Sequence, residues 1–169
     1  MTKGKALYLA YDQGMEHGPS DFNDNNVDPL YIIEIAEKGK YNGIVFQKGI
    51  AEKYNSEIKK SKIPLIINIA KTNDAKIKGD ESVNDYYYSF KKFENLGDFI
   101  TLNISCPNTG DGKSFEDVVL LEKLLKKINR KKNIFLKISP DLTKENIDEF
   151  ISVISNYNIE CNVIVSELL

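Results

Sequence analysis

The sequence predicts an α/β protein built on a parallel sheet, and three observations indicate it. Short, almost wholly apolar runs recur along the 169 residues, as expected of strands buried on both faces. Segments with helical periodicity, about ten to fifteen residues long, separate these runs. Polar residues cluster where each apolar run ends, which is where parallel α/β sheets bind their ligands.

Six of the apolar runs are predicted to be strands. They cover residues 6–11, 43–47, 64–70, 98–104, 133–139 and 161–166. Because helical segments alternate with them, the connections are expected to be right-handed βαβ units.

Five helices are predicted, at residues 28–39, 49–58, 82–97, 114–130 and 143–158. Asp28 followed by Pro29 is a typical helix start. Thr143, with Asn146 three residues later, has nearly the spacing of a capping box. Ser82 is predicted to cap the third helix.

The fold predicted from this alternation is a partial (βα)8 TIM-type barrel. A complete barrel uses eight strands and roughly 200–250 residues. Six strands therefore predict one incomplete barrel domain over residues 1–169, lacking the last two βα units. Its two outer strands would leave open edges, so either a homodimer that closes the sheet or poor solubility is expected.

Composition excludes several classes of function. The formal net charge is −2, and Arg130 is the only arginine, which argues against a nucleic-acid partner. No apolar run could span a bilayer and the N-terminus has no signal-peptide core, so a cytoplasmic location is predicted. With two cysteines and one histidine, His17, neither a disulfide framework nor a metal site is expected.

The N-terminal part of the chain carries two distinctive motifs. They are "AYDQGMEHGP" at residues 10–19 and "GIVFQKGIAEKY" at residues 43–54. Over about residues 5–67 the chain resembles archaeal-type class I fructose-bisphosphate aldolase, a (βα)8 barrel. The resemblance implies that Asp12 lies in a lyase active site. That family carries its Schiff-base lysine on strand six, where this chain has "CNVIVSELL" without a lysine.

The rest of the chain carries motifs of a second kind. They are "INIAKTNDAKIKG", "DFITLNISCPNTGDGKSFED" and "IFLKISPDLTKENI". Over about residues 64–169 the chain resembles dihydroorotate dehydrogenase, an FMN-dependent (βα)8 barrel. The single domain would thus join an aldolase-like half, 1–66, to a dehydrogenase-like half, 64–169.

The second resemblance assigns a role to each predicted site residue. Cys106 would be the catalytic base, since a partly ionised thiol can take a proton from the substrate. Asn103 and Asn108 would bind dihydroorotate, because an amide both donates to and accepts from the edge of a pyrimidine ring. The implied FMN contacts are Asn68, Asn103, Lys137 and Ser166.

Three functions remain open at this point. The first is FMN-dependent oxidation of dihydroorotate to orotate, a step of pyrimidine biosynthesis, by a chain of impaired activity. The second is an aldolase-type lyase that uses Asp12. The third is a catalytically inactive chimeric barrel fragment. Whether the chain is itself an enzyme is left undecided.

Overall fold

A computed structural model of the chain describes residues 6–12, 18–105, 117–128, 133–139, 142–157 and 161–165. Within these residues the strands are β1 Tyr8–Tyr11, β2 Gly43–Gln47, β3 Leu65–Ala70, β4 Phe99–Asn103, β5 Ile134–Ile138 and β6 Cys161–Val165. The α-helices are α1 Pro29–Lys38, α2 Lys48–Lys53, α3 Asn55–Ser61, α4 Asp80–Phe93, α5 Val118–Ile128 and α6 Lys144–Ser155.

The strands follow one another in the sheet in chain order, from β1 to β6. The β1–β2, β2–β3, β4–β5 and β5–β6 pairs are all parallel. Six strands, parallel pairing and intervening helices confirm the α/β prediction made from the sequence.

The helix predicted at residues 49–58 is instead two helices, α2 and α3. The chain bends between them at Tyr54, whose φ and ψ are −105° and 18°. The backbone N–H of Tyr54 still donates to the carbonyl of Ile50, so the break is a change of direction after one complete helix.

The predicted caps of the first and last helices are confirmed, and the predicted cap of the middle helix is wrong. The Asp28 side chain accepts from the N–H of Leu30, and that of Thr143 accepts from the N–H of Asn146. Helix α4 begins earlier, after Gly79, whose φ of 54° suits a glycine. Ser82 does not cap the helix, because its hydroxyl donates to the carbonyl of Ile77 at 3.2 Å.

The chain divides into two compact units. Unit 1 comprises Met1–Asn68 and Asn95–Phe99. Its buried apolar side chains come from β1 to β3 and from helices α1 to α3, with Ile44 and Phe46 fully buried. Asp98 joins the start of β3 to the segment before β4, because its carboxylate accepts from the N–H of Leu65 at 2.8 Å.

Unit 2 comprises Ile69–Glu94 and Ile100–Leu169. In its described part, α4 and α5 supply most of the buried side chains that lie outside the strands, namely Val83, Tyr86, Phe90, Phe93, Leu121, Leu124, Leu125 and Ile128. These residues recur at three- and four-residue intervals, so each helix buries one face. That residues 1–169 form a single domain stays a prediction.

None of the described helices is long and apolar enough to cross a membrane.

Replacing Asp28 with Ala is expected to lower the free energy of unfolding by about 1 kcal/mol, because the first turn of α1 loses its side-chain acceptor. The comparison is with Asp24→Ala, a substitution of another aspartate, on an exposed turn of the same connection. Urea denaturation followed by circular dichroism measures both variants. Equal loss in the two variants would refute the capping role.

Candidate functional site

The predicted site residues that the structure describes lie at or near the carboxyl ends of strands. Asp12 follows β1, and Asn68 is the fourth residue of β3. Asn103 ends β4, and Lys137 is the penultimate residue of β5. The other predicted site residues, Cys106, Asn108 and Ser166, lie outside the described residues.

In unit 2, Asn103 and Lys137 are direct neighbours across the β4–β5 ladder. Their Cα atoms are register partners in the parallel pairing. Since side chains alternate along a strand and partners in a parallel ladder point to the same face, these two side chains project together. One face of the sheet therefore carries an amide beside an ammonium group.

Asn103 is fully buried, and both its side chain and its backbone accept hydrogen bonds. The hydroxyl of Ser105 donates to its Oδ1 at 3.0 Å. The phenol of Tyr86, which is also fully buried, donates to its main-chain carbonyl at 2.7 Å. Both contacts restrain the end of β4, from which the segment containing Cys106 continues.

The connection between β3 and α4 is tied down by polar contacts within unit 2. Lys71 is 6% exposed, and its Nζ donates to the carbonyl of Ile77 at 2.9 Å. The Asp85 carboxylate accepts from the N–H and the hydroxyl of Thr72, at 2.7 and 2.8 Å. These bonds set the start of α4, and so they place Tyr86, the residue after Asp85.

Sequence reasoning assigned no site role to Tyr86 or Ser105. Tyr86 lies in a run of three tyrosines. It differs from Tyr88 in its burial, since Tyr86 is fully buried and Tyr88 is 72% exposed. The helical period alone indicates that one of the three faces inward. It does not indicate which strand end that tyrosine contacts.

In unit 1, three consecutive strands bring polar groups together at their carboxyl ends. The amide nitrogen of Asn68 donates to the Asp12 carboxylate at 2.5 Å. Gln47, the last residue of β2 and the register partner of Asn68, donates to the main-chain carbonyl of Asp12 at 2.9 Å. The Asn68 Oδ1 is buried, and within the described residues it accepts no hydrogen bond.

Tyr11, the residue before Asp12, is anchored by its ring and its hydroxyl. Its ring packs edge-on against Phe22 and Phe46, with centroids 5.8 and 5.6 Å away. Its hydroxyl donates to the main-chain carbonyl of Asn26. Burial, and then the nearby Asp28 carboxylate, raise the pKa of the Tyr11 phenol, so it stays a proton donor at neutral pH.

The two groups of residues have opposite hydrogen-bonding character. In unit 2, Lys137 supplies a donor to a carbonyl or anionic oxygen, because an ammonium group only donates. In unit 1, Asp12 and the Asn68 Oδ1 supply acceptors. Through the described part of the chain, no three His, Cys, Asp or Glu side chains are grouped as metal ligands would be.

The family model for dihydroorotate dehydrogenase matches residues 39–167 of this chain. Among curated proteins, the class 1 fructose-bisphosphate aldolase of Thermoproteus tenax is 35% identical over 124 residues, which are 72% of this chain and 45% of that protein. The dihydroorotate dehydrogenase (quinone) of Nostoc punctiforme is 36% identical over 101 residues, 57% of this chain and 26% of that protein. This chain thus spans less than half the length of either relative.

Solved structures show the fold. A Schiff-base-forming fructose-1,6-bisphosphate aldolase superposes with a TM-score of 0.54 at 20% identity, covering 98% of this chain and 76% of that one. Ligand-free dihydroorotate dehydrogenase from Eimeria tenella superposes with a TM-score of 0.51 at 16% identity, covering 81% of this chain and 41% of that one. Both are (βα)8 barrels, which confirms the predicted partial-barrel class.

Replacing Tyr86 with Phe is expected to cost about 1–2 kcal/mol of unfolding free energy, because the buried Asn103 carbonyl loses a donor. The matched control is Tyr88→Phe, which removes an exposed hydroxyl from the same helix and should change stability by less than about 0.5 kcal/mol. Urea unfolding of both variants is the measurement. If the two losses are the same, the Tyr86 bond does not restrain β4.

Proposed function

This chain belongs to the dihydroorotate dehydrogenase family, and on that premise we propose that it serves the FMN-dependent oxidation of dihydroorotate to orotate. The observation that carries the proposal is the register pairing of Asn103 with Lys137 on one face of the sheet. A buried amide and an ammonium group at strand ends suit a flat heterocycle with carbonyl groups along its edge.

The hydrogen-bonding chemistry of Lys137, in unit 2, fits one edge of an FMN ring. Lys137 would bind the N1/O2 edge of the ring, where a positive charge favours the anionic reduced form. By the family resemblance, Asn68, Asn103 and Ser166 are proposed as further FMN contacts.

The proposed chemistry removes a proton and a hydride from neighbouring carbons of dihydroorotate. FMN, when bound, supplies the acceptor for the hydride. Cys106 is proposed to take the proton at its Sγ, which requires the thiolate form. Asn103 and Asn108 would orient the substrate through its ring carbonyl and N–H groups.

The purified chain is expected to take up FMN, and Lys137→Met to bind it roughly ten- to a hundredfold more weakly. A hydrogen bond from a charged donor is worth about 1.5–3 kcal/mol, and about 1.4 kcal/mol corresponds to a tenfold change in affinity. Titration with FMN, followed by flavin absorbance and fluorescence quenching, measures both affinities.

The matched control for this titration is Lys60→Met, which removes an exposed lysine of α3 and should leave FMN affinity unchanged. A colourless protein that takes up no added FMN would exclude the oxidoreductase function. Equal weakening by the two substitutions would exclude the assigned role of Lys137.

An aldolase-type lyase is the second candidate function, and the Asp12–Asn68 pair favours it. Asp12 lies in the motif shared with the aldolases, and its carboxylate is fixed by the Asn68 amide. Such a lyase needs an amine nucleophile to form an iminium with its substrate. Strand β6, Cys161–Val165, contains no lysine.

Borohydride treatment in the presence of fructose 1,6-bisphosphate is expected to leave the mass of the chain unchanged, because β6 supplies no amine. Intact-protein mass spectrometry measures this, with a Schiff-base-forming aldolase as the positive control. A trapped adduct would establish the lyase, and peptide mapping would then identify the lysine.

The other predictions from the sequence are part of the same proposal. A second copy of the chain is proposed to pair along the outer strands, β1 and β6, and the protein is proposed to act in the cytoplasm. If the flavin titration and the borohydride experiment are both negative, the third hypothesis, a catalytically inactive chimeric barrel fragment, is the one that remains.

A further inference from the structure

A cavity of about 260 Å³ lies within unit 1, beside the amino end of strand β3. Its walls are helix α3, the turn that leads from α3 into β3, and the segment before β4. Leu65, the first residue of β3, borders it. Barrel enzymes bind their substrates at the carboxyl ends of the strands, so this cavity is at the other end of β3 from the candidate site.

One face of α3 forms a wall of the cavity. The residues that line it from this side are Asn55, Ile58, Lys59 and Lys62. Their spacing of three, four and seven residues places them along one helical face. At a rise of 1.5 Å per residue, Asn55 and Lys62 are roughly 10 Å apart along the wall, so an amide and an ammonium group stand at its two ends.

The middle of the cavity is apolar and its frame is fixed. The apolar lining residues are Ile58, Ile63, Pro64, Leu65 and Leu96. Asp98 holds the segment before β4 against β3, because its carboxylate accepts from the N–H of Leu65 and its own N–H donates to the carbonyl of Leu65, at 2.8 and 2.9 Å. The cavity is therefore already formed in the chain without a ligand.

The residue between Leu96 and Asp98 explains how closely that segment packs. A Cβ atom on Gly97 would lie 2.9 Å from the carbonyl oxygen of Phe99 and 3.0 Å from the side chain of Ile67. Real Cβ atoms do not approach so closely, so only glycine lets the segment lie this near to β3.

The amide at one end of the wall has an unused acceptor. The Asn55 Oδ1 is buried, and within the described residues it accepts no hydrogen bond. Buried polar atoms in folded proteins almost always have a partner, so an exception needs a physical explanation. A hydroxyl of a bound molecule supplies the missing donor.

The charges around the cavity favour an anion. Lys59 and Lys62 are exposed lysines on its lining. The carboxylate of Asp98 also lines it, but one of its oxygens already accepts from the N–H of Leu65. Two ammonium groups against one carboxylate leave a net positive charge, which attracts a carboxylate group.

We propose that this cavity binds a small monocarboxylic acid with an aromatic body and a hydroxyl group at the far end. The ring packs against Ile58 and Leu96, the hydroxyl donates to the Asn55 Oδ1, and the carboxylate meets Lys59 and Lys62. Since a water molecule occupies about 30 Å³, the volume suits a ligand of roughly ten non-hydrogen atoms. The inference does not depend on the proposed function, because the cavity shares no residue with the candidate site.

Three related compounds test the ligand class. The probe is 4-hydroxyphenylacetate, which is expected to bind with a dissociation constant of about 0.1–1 mM, as befits its size. Phenylacetate lacks the hydroxyl and should bind about three- to tenfold more weakly, the effect of one neutral hydrogen bond. The neutral 4-hydroxyphenylacetamide should bind about two- to fivefold more weakly, since exposed lysines give modest ion pairs. Isothermal titration calorimetry on the full chain measures all three.

Two substitutions place the binding in this cavity. Leu96→Trp fills the apolar middle and should abolish binding of 4-hydroxyphenylacetate. Its matched control is Leu7→Trp, at a leucine of the same unit that is 59% exposed, which should bind as the wild type does. Circular dichroism checks that both variants are folded.

Asn55→Leu removes the buried acceptor and should bring 4-hydroxyphenylacetate and phenylacetate within about twofold of each other. Asn25→Leu, on an exposed turn, should keep the wild-type ratio. The ratio of two affinities isolates the hydroxyl contact, because a general loss of structure weakens both compounds alike. It therefore decides the matter even if Leu96→Trp does not fold.

The inference is overturned if the wild type binds none of the three compounds, or if Leu96→Trp folds and still binds the probe. Equal affinities for 4-hydroxyphenylacetate and phenylacetate, or a ratio that Asn55→Leu leaves unchanged, overturn the assigned ligand class. None of these results bears on the flavin titration, so the proposed function stands or falls separately.

Discussion

Register in the parallel ladders is the constraint on which both groups of polar residues depend. Pairing aligns Gln47 with Asn68 in one unit and Asn103 with Lys137 in the other. Because side chains alternate with a period of two, a slip of one residue would turn one member of each pair to the opposite face. The apolar residues between the polar ones prevent that slip, since it would move them out of the core.

The buried polar side chains of the sheet are satisfied by hydrogen bonds from residues outside their own strands. Asn103 is fully buried, and Tyr86 and Ser105 satisfy its carbonyl and its amide oxygen. Asn68 is nearly as buried, and Asp12 satisfies its amide nitrogen. Hydrogen bonds in such low-dielectric surroundings are strong, and leaving them unmade is costly. Side chains held in this way need little reorganisation when a ligand arrives.

The stretch that matches the dehydrogenase family and the stretch that matches the aldolase overlap in the sequence. The dehydrogenase family model begins at residue 39, and the aldolase alignment extends over 124 residues, so the two overlap. Repeated βα units explain how one framework resembles both families, because the barrel frame is separable from the residues at its strand ends. In unit 1, the acidic residue of the aldolase motif is bonded to the β3 amide that the dehydrogenase resemblance assigns to FMN.

The sequence by itself determined the parallel α/β class, the six strands and the caps at Asp28 and Thr143. Each of these depends on local chemistry: apolar runs, or a side-chain oxygen beside the first turn of a helix. Only the tertiary structure decided that α4 begins after Gly79, that Tyr86 reaches the end of β4 and that Asn68 binds Asp12. Asp12 and Asn68 are 56 positions apart in the sequence. A contact between such distant segments forms only on folding and leaves no periodic signal in the sequence.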